Sequence, residues 1–164
     1  LLESRESVKE TLKLAEIELC LGKHLASYLA SSHGDLAHRV SKMRKKFAQD
    51  VGFLPSVVHI RDNLELSPNT YVITLKGVEV GRAEAFPGKW LAIDPGQVSG
   101  TLDGTRTQDP AFGLTAYWID TAQRERAQIY GYTVVDASTV IATHLNHLLH
   151  ENAGDMLGLS LIHI

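Results

Sequence analysis

The spacing of apolar positions predicts two strong helices. Leu36, Val40, Met43, Phe47 and Val51 recur at steps of four and three, so they share one side of a helix with 3.6 residues per turn. Arg39, Lys42, Lys45 and Lys46 fall on the other side, and Gly52 follows. An amphipathic helix over 36–51 is expected, stopped by the glycine and capped by Asp35 at the end of a loop, 31–35. Val140, Ile141, Leu145, Leu148 and Leu149 repeat the pattern behind a cap at Asp136. On that helix Thr143, His147 and His150 share the polar side, and His144 lies nearer the apolar stripe.

Other stretches carry strand signals. "IELCLG" (17–22) alternates, "VVHI" (57–60) is β-branched, and "TYVITLKGVEVGRAEAF" (70–86) holds two β-rich runs around Gly77, as in a hairpin. "KWLAID" (89–94) ends at Pro95-Gly96, and 95–113 is rich in Gly, Thr, Asp and Pro, so it is expected to be loop. "LTAYWI" (114–119) predicts a buried strand, and Asp120 or Thr121 a cap for a short helix running to Tyr130 and Gly131. "YTVV" (132–135) completes the strands. Mixed strands and helices imply an α/β or α+β fold.

Composition narrows the function classes. With 164 residues, 44% of them hydrophobic, the chain can bury a real core. A net charge of −3 gives no global case for nucleic acid. The basic helix face reads as solvated, because no aromatic residues interleave it to stack bases. The single cysteine, Cys20, excludes an internal disulfide and a multi-cysteine zinc site, and its apolar strand makes it a buried, inert thiol. No apolar run is long enough to span a bilayer. Residues 1–13 read as a polar linker, and the lack of an initial Met as the mark of a fragment.

Several constellations hold residue types capable of chemistry. His144, His147 and His150 form H-x-x-H-x-x-H, and histidines three apart on a helix can share a metal. No acidic or thiol ligand completes a typical set, so polar-edge histidines are the expectation. Ser138, His144 and Asp136 make a triad only on paper, without a G-x-S-x-G elbow. "DPGQVSGTLDG" (94–104) has neither the Walker spacing nor G-x-G-x-x-G, and reads as turn chemistry. "HIRDN" (59–63) reads as a structural turn, with Asp62 or Asn63 binding backbone amides. No catalytic centre emerges, which favours a binding role without an enzyme, metal or cofactor.

"DPAFG" (109–113) poses the sharpest question. Asp109, Pro110 and Gly113 are turn residues. Phe112 among them is either a plug in the core or an exposed anchor for a partner.

Four stretches carry a resemblance. "VHIRDNLELSPNTYVITLKGVEVGRAEA", "LAIDPGQV", "TQDPAFGLTAYWI" and "GYTVVDASTVIATHLNHLL" occur in that order. Over residues 14–158 the chain resembles the first portion of the cytoplasmic half of the FlhA/LcrD family, the type III export gates shared by flagella and virulence injectisomes. The "IRDNLEL" and "DPAFGL" wording resembles the flagellar branch, and the injectisome branch is the alternative. The resemblance implies a compact α/β sub-domain over 14–87 and 137–157, a smaller one inserted at 88–136, and a tail at 158–164. The "LSLIHI" of that tail departs from the family pattern.

Function follows from the same likeness. It implies a non-enzymatic docking module for export chaperone–substrate complexes, working with other gate components and the export ATPase. The family's full protein forms a nonameric ring on the cytoplasmic face of the bacterial inner membrane, anchored by a membrane half that this chain lacks. Docking in the family uses an apolar dimple whose residues match Asp109, Phe112 and Thr143, and Pro95 matches a further position tied to function. Phe112 is thereby implied to be a presented anchor, and Asp109 to fix the turn or to accept a hydrogen bond from the ligand.

Overall fold

The computed structural model describes residues 17–31 and 35–154. In chain order these form β1 (Ile17–Leu21), α1 (Lys23–Ser31), α2 (Asp35–Val51), β2 (Val58–Asp62), β3 (Thr70–Leu75) and β4 (Val78–Glu84). There follow β5 (Trp90–Ile93), β6 (Thr105–Gln108), β7 (Thr115–Ile119), a 3-10 turn (Thr121–Gln123), α3 (Arg124–Ile129), β8 (Thr133–Asp136) and α4 (Ala137–Glu151). The class is mixed α and β, as the sequence implied. The linker 1–13 and the tail 158–164 lie outside the described residues.

Two sheets organise the chain. The first has the order β2-β1-β3-β4, with β1 and β2 parallel and the other pairs antiparallel. The chain between β1 and β2 holds both α1 and α2, as a parallel connection requires a long crossover. The second sheet, β6-β7-β5-β8, is wholly antiparallel and falls between β4 and α4 in sequence. Helix α4 then returns to pack on α2.

The core spans both parts. Leu19, Ile73, Phe47, Ile141 and Leu145 are buried with Leu91, Ala116 and Trp118 of the second sheet in one apolar cluster. Strands β5 and β8 use their period of two to face both ways. Leu91, Ile93 and Val135 join that cluster, while Trp90, Ala92 and Val134 pack with Ala127 of α3 on the other side.

Local signals explain most boundaries. Lys76 and Gly77, both at positive φ (54° and 78°), make the two-residue link between β3 and β4 that matches strand twist. Gly52 takes φ 92° just past α2. The Asp136 side chain accepts from the Thr139 amide and caps α4. At the start of both long helices Ser138 Oγ donates to Asp35 (3.0 Å) and Asp136 (3.2 Å), and Arg39 pairs with Asp35 at 3.0 Å.

The structure corrects four expectations and adds one helix. The 95–113 stretch is not all loop, because Thr105–Gln108 pairs with β7. That strand is short, polar and mostly exposed, so it lacks an apolar alternation. Helix α1, with Leu25 and Leu29 buried, was not foreseen. Asp35 lies inside α2 rather than before it. Asp120 makes no capping hydrogen bond, and the chain passes through the 3-10 turn before α3 begins. Arg61 and Asp62, read as part of a structural turn, belong to β2.

Candidate functional site

The turn at 109–114 is built by one carboxylate. Asp109 is 4% exposed. Its Oδ2 accepts from the Phe112 amide at 2.9 Å and its Oδ1 from the Leu114 amide at 2.7 Å. The main chain closes the same loop, with Gly113 N–H donating to Asp109 O (2.9 Å) and Asp109 N–H to Leu114 O (2.8 Å). Gly113 sits at φ 72°, a region where a Cβ is strained. Both carboxylate oxygens are thus engaged within the turn. Of the two roles implied for Asp109, the geometry accounts for turn fixing.

Phe112 is carried outward by this turn. It is 65% exposed, so it is not a core plug. Its ring meets that of His147 on α4 edge-on, with centroids 5.1 Å apart. That contact holds the ring over an apolar depression of about 280 Å³. Leu91 and Ile93 of β5, Thr133 and Val135 of β8, and Val140 and Thr143 of α4 line it, with Pro95 and the turn closing the edge. Pro95, Asp109, Phe112 and Thr143, separated by up to 48 positions in sequence, therefore meet around one cavity. Its size falls near the low end of the roughly 300–1,000 Å³ common for small-molecule or side-chain pockets.

Sequence reasoning missed much of the lining. Leu91, Ile93, Thr133 and Val135 are alternate residues of adjacent strands, and β5 and β8 pair in register. The period of two was visible, but which face meets α4 depends on the pairing. His147, expected only on the polar helix side, is half-buried and serves as the backing for Phe112.

Beneath the depression α4 is wedged against the first sheet. His144 is 5% exposed, and its Nδ1 lies 2.7 Å from the Tyr71 hydroxyl, with Tyr71 fully buried. Burial pushes the Tyr71 phenol well above its ordinary range, with the charge of Asp109 adding to it. The phenol thus keeps its proton, and the direction of its hydrogen bond with Nδ1 follows the tautomer of the imidazole. Burial, and then the neighbouring His147, hold the His144 pKa below 6.5, while Asp109 and Glu151 oppose the shift. Gly81 on β4 makes room, since a Cβ there would fall within 3.2 Å of this imidazole.

A pH dependence follows from that burial. The unfolded chain takes up a proton on His144 near pH 6.5 and the folded chain only below it. The contribution is therefore present above pH 6.5 and lost as pH falls through that value toward the folded pKa. Urea denaturation from pH 8 to pH 5 should show stability falling below about 6.5, and His144→Gln should flatten that stretch. A curve of unchanged shape in the variant would sink this attribution.

The other candidates find structural partners. His147 Nε2 lies 2.9 Å from Glu151, and His150 Nδ1 lies 2.8 Å from the Asn146 carbonyl. The three histidines of α4 therefore point into separate interactions, and no group of metal-holding side chains occurs among the described residues. Ser138 bonds to carboxylates rather than to His144, so the paper triad is not assembled. Asn63 Oδ1 accepts from Glu65 N–H, and Arg61 pairs with Glu18 and donates to the buried Cys20 sulfur at 3.5 Å. In the 94–104 stretch, Asp94 accepts from Gly96 N–H at 2.7 Å, a turn of ordinary kind.

The model of the FHIPEP family matches residues 2–163. The chain belongs to the FHIPEP family. Among curated relatives, flagellar biosynthesis protein FlhA of Yersinia enterocolitica is 63% identical over 126 residues, 77% of this chain and 18% of that protein. FlhA of Escherichia coli strain K12 is 51% identical over 161 residues, 95% of this chain and 23% of that protein. The chain thus spans about a fifth of the length of these FHIPEP relatives. Among solved structures, the Chlamydia pneumoniae CdsV protein superposes with a TM-score of 0.71 at 22% identity, over 87% of this chain and 44% of that one. The nonameric SctV-C of EPEC gives 0.60 at 13% identity, over 88% of this chain and 42% of that one. At such identities the likeness shows a shared fold. No described helix is long and apolar enough to cross a membrane.

Proposed function

We propose that this chain is a docking module in the cytoplasmic part of a flagellar type III export gate, and that it binds export chaperone–substrate complexes at the depression beside Phe112. One observation carries the reading. A large aromatic ring stands 65% exposed at the rim of an apolar cavity that also takes in Pro95, Asp109 and Thr143. Aromatic side chains, phenylalanine included, are enriched in interface cores, and a few buried anchors carry much of the binding energy. No catalytic role is part of the proposal.

The wider assignments rest on the same reading. Sub-domains over 14–87 with 137–157 and over 88–136 are in keeping with the second sheet falling between β4 and α4. The nonameric EPEC protein and the CdsV–CdsO complex support a ring and contacts with other export components for the longer protein. Its place is then the cytoplasmic face of the inner membrane. The flagellar branch is preferred to the injectisome branch because the curated FlhA relatives are far closer in sequence than CdsV or SctV-C.

Titration calorimetry against a flagellin–chaperone complex tests the proposal. The expected affinity is about 1 μM, or about −8 kcal/mol. Phe112→Ala should weaken binding by about 1–3 kcal/mol with the far-UV spectrum unchanged, since the ring is largely outside the core. Undiminished binding by the folded variant would remove the depression as the site.

A further inference from the structure

The two sheets leave a second opening that the depression does not use. Strand β4 is the edge of the first sheet and β6 the edge of the second. A cavity of about 520 Å³ lies between them, bounded by Arg82, Ala83 and Glu84 on one side and Thr105–Gln108 on the other. A neighbouring opening continues along the same two strands through Val80, Gly81 and Asp109. Consecutive residues of each strand border the space. If a sheet face lined it, only alternate residues would. The walls are therefore the strand edges, with their main-chain donors and acceptors.

Those edges are bare. Strand β4 pairs only with β3, and β6 only with β7. Beyond these ladders, no residue of β4 or of Thr105–Gln108 makes a main-chain hydrogen bond to a third segment among the described residues. The floor is apolar, formed by Phe86, Leu91 and Trp118. Two guanidinium groups, Arg82 and Arg106, stand against one carboxylate, Glu84. Arg82 already holds Glu79 at 2.8 Å, whereas Arg106 is exposed and without an ion pair among the described residues.

We propose that this cleft receives an extended polypeptide segment of a partner protein, which adds to β4 and β6 as a strand bridging the two sheets. Bare edges on both walls supply main-chain recognition. The floor beneath selects an apolar side chain at alternate positions, and Arg106 favours a carboxylate at the mouth. A helix, about 10–12 Å across with its backbone groups internally paired, has nothing to offer two strand edges. The 520 Å³ cleft shares Leu91 and Pro110 with the Phe112 depression, and the neighbouring opening shares Asp109 and Pro110 with it, but Phe112 borders neither, so the inference does not require that chaperones dock there.

Hydrogen exchange read by mass spectrometry tests this. The probe is a short synthetic peptide, blocked at both ends, in which valine alternates with threonine and glutamate. Saturating peptide should slow exchange about tenfold or more at amides within both 78–84 and 105–108. The same peptide N-methylated at alternate residues should have no effect. Arg106→Glu should weaken the wild-type peptide about tenfold with the fold unchanged, and Arg106→Gln less. Phe112→Ala should leave peptide binding intact, which separates this result from the fate of the chaperone-docking reading. No slowing, slowing in one strand only, or loss with Phe112→Ala would each overturn the proposal. So would strong protection of both strands, without peptide, in a protein carrying the full length of the relatives, since the chain's own continuation would then fill the cleft.

Discussion

Asp109→Ala should lower stability by about 3–5 kcal/mol and abolish docking at the depression. The carboxylate is buried and accepts two backbone amides at 2.9 and 2.7 Å. Hydrogen bonds to a charged acceptor contribute roughly 1.5–3 kcal/mol each, and both are lost together, although the exposure of Phe112 and Leu114 lets water reach the freed amides and holds the cost to that range. Against a total stability of about 5–15 kcal/mol this is a large share. For a chain of this size the melting temperature should drop by about 10 °C. Asp109→Asn separates the two consequences. Its side chain has one acceptor oxygen, so one amide stays bonded while the other meets an NH₂ group, and the loss should be intermediate. In a folded Asp109→Asn protein, exchange at Phe112 and Leu114 should quicken and docking should weaken in step. Full docking by a variant whose turn has loosened would show that the turn does not present the ring.

Whether Phe112 is a core plug or an exposed anchor turns on this same carboxylate. A single phenylalanine in D-P-A-F-G fits a plug and an anchor equally well by composition. The direction of its Cα–Cβ bond is decided by which amides Asp109 captures, which composition does not fix. The resemblance to export gates supplied Pro95, Asp109, Phe112 and Thr143 as a group, and their convergence on one cavity is something no spacing rule contains. Elements with strong periodicity were legible. Helix α2 runs along its predicted stripe, and Asp136 caps α4 as its residue type implied. Strand β6 was not legible because an exposed edge strand has no apolar face to betray it. The lining of the depression was half legible. Alternation in β5 marks Leu91 and Ile93 as one face, but only the β5–β8 register and the return of α4 show what that face meets.

Trp118→Ala should cost about 3–5 kcal/mol, the range for truncating a large buried aromatic, and should weaken docking although Trp118 does not line the depression. Trp118 is 4% exposed and meets Phe86 edge-on at 5.5 Å, across the seam where the chain passes from the first sheet to the second. Its cross-strand partner on β5 is Leu91. Leu91 is 1% exposed and contributes to the wall of the depression, so its position transmits the loss. Interiors close-packed like crystals relax only partly around a void, and the neighbours of that void shift. Trp118→Phe keeps an aromatic ring against Phe86 and should recover most of both losses. Urea denaturation measures the first effect, and calorimetry against the flagellin–chaperone complex the second. Trp90 remains as a fluorescent reporter on the other face of β5, where Arg124 lies 4.0 Å over its ring. Unchanged Trp90 emission alongside reduced stability would localise the damage to the seam. A loss of stability below about 1 kcal/mol would be ordinary for a surface position and would mean that the two sheets are held together elsewhere. If stability fell as expected while docking stayed intact, the seam would hold the fold without shaping the depression, and the recognition surface would reduce to the turn, its aromatic ring and α4.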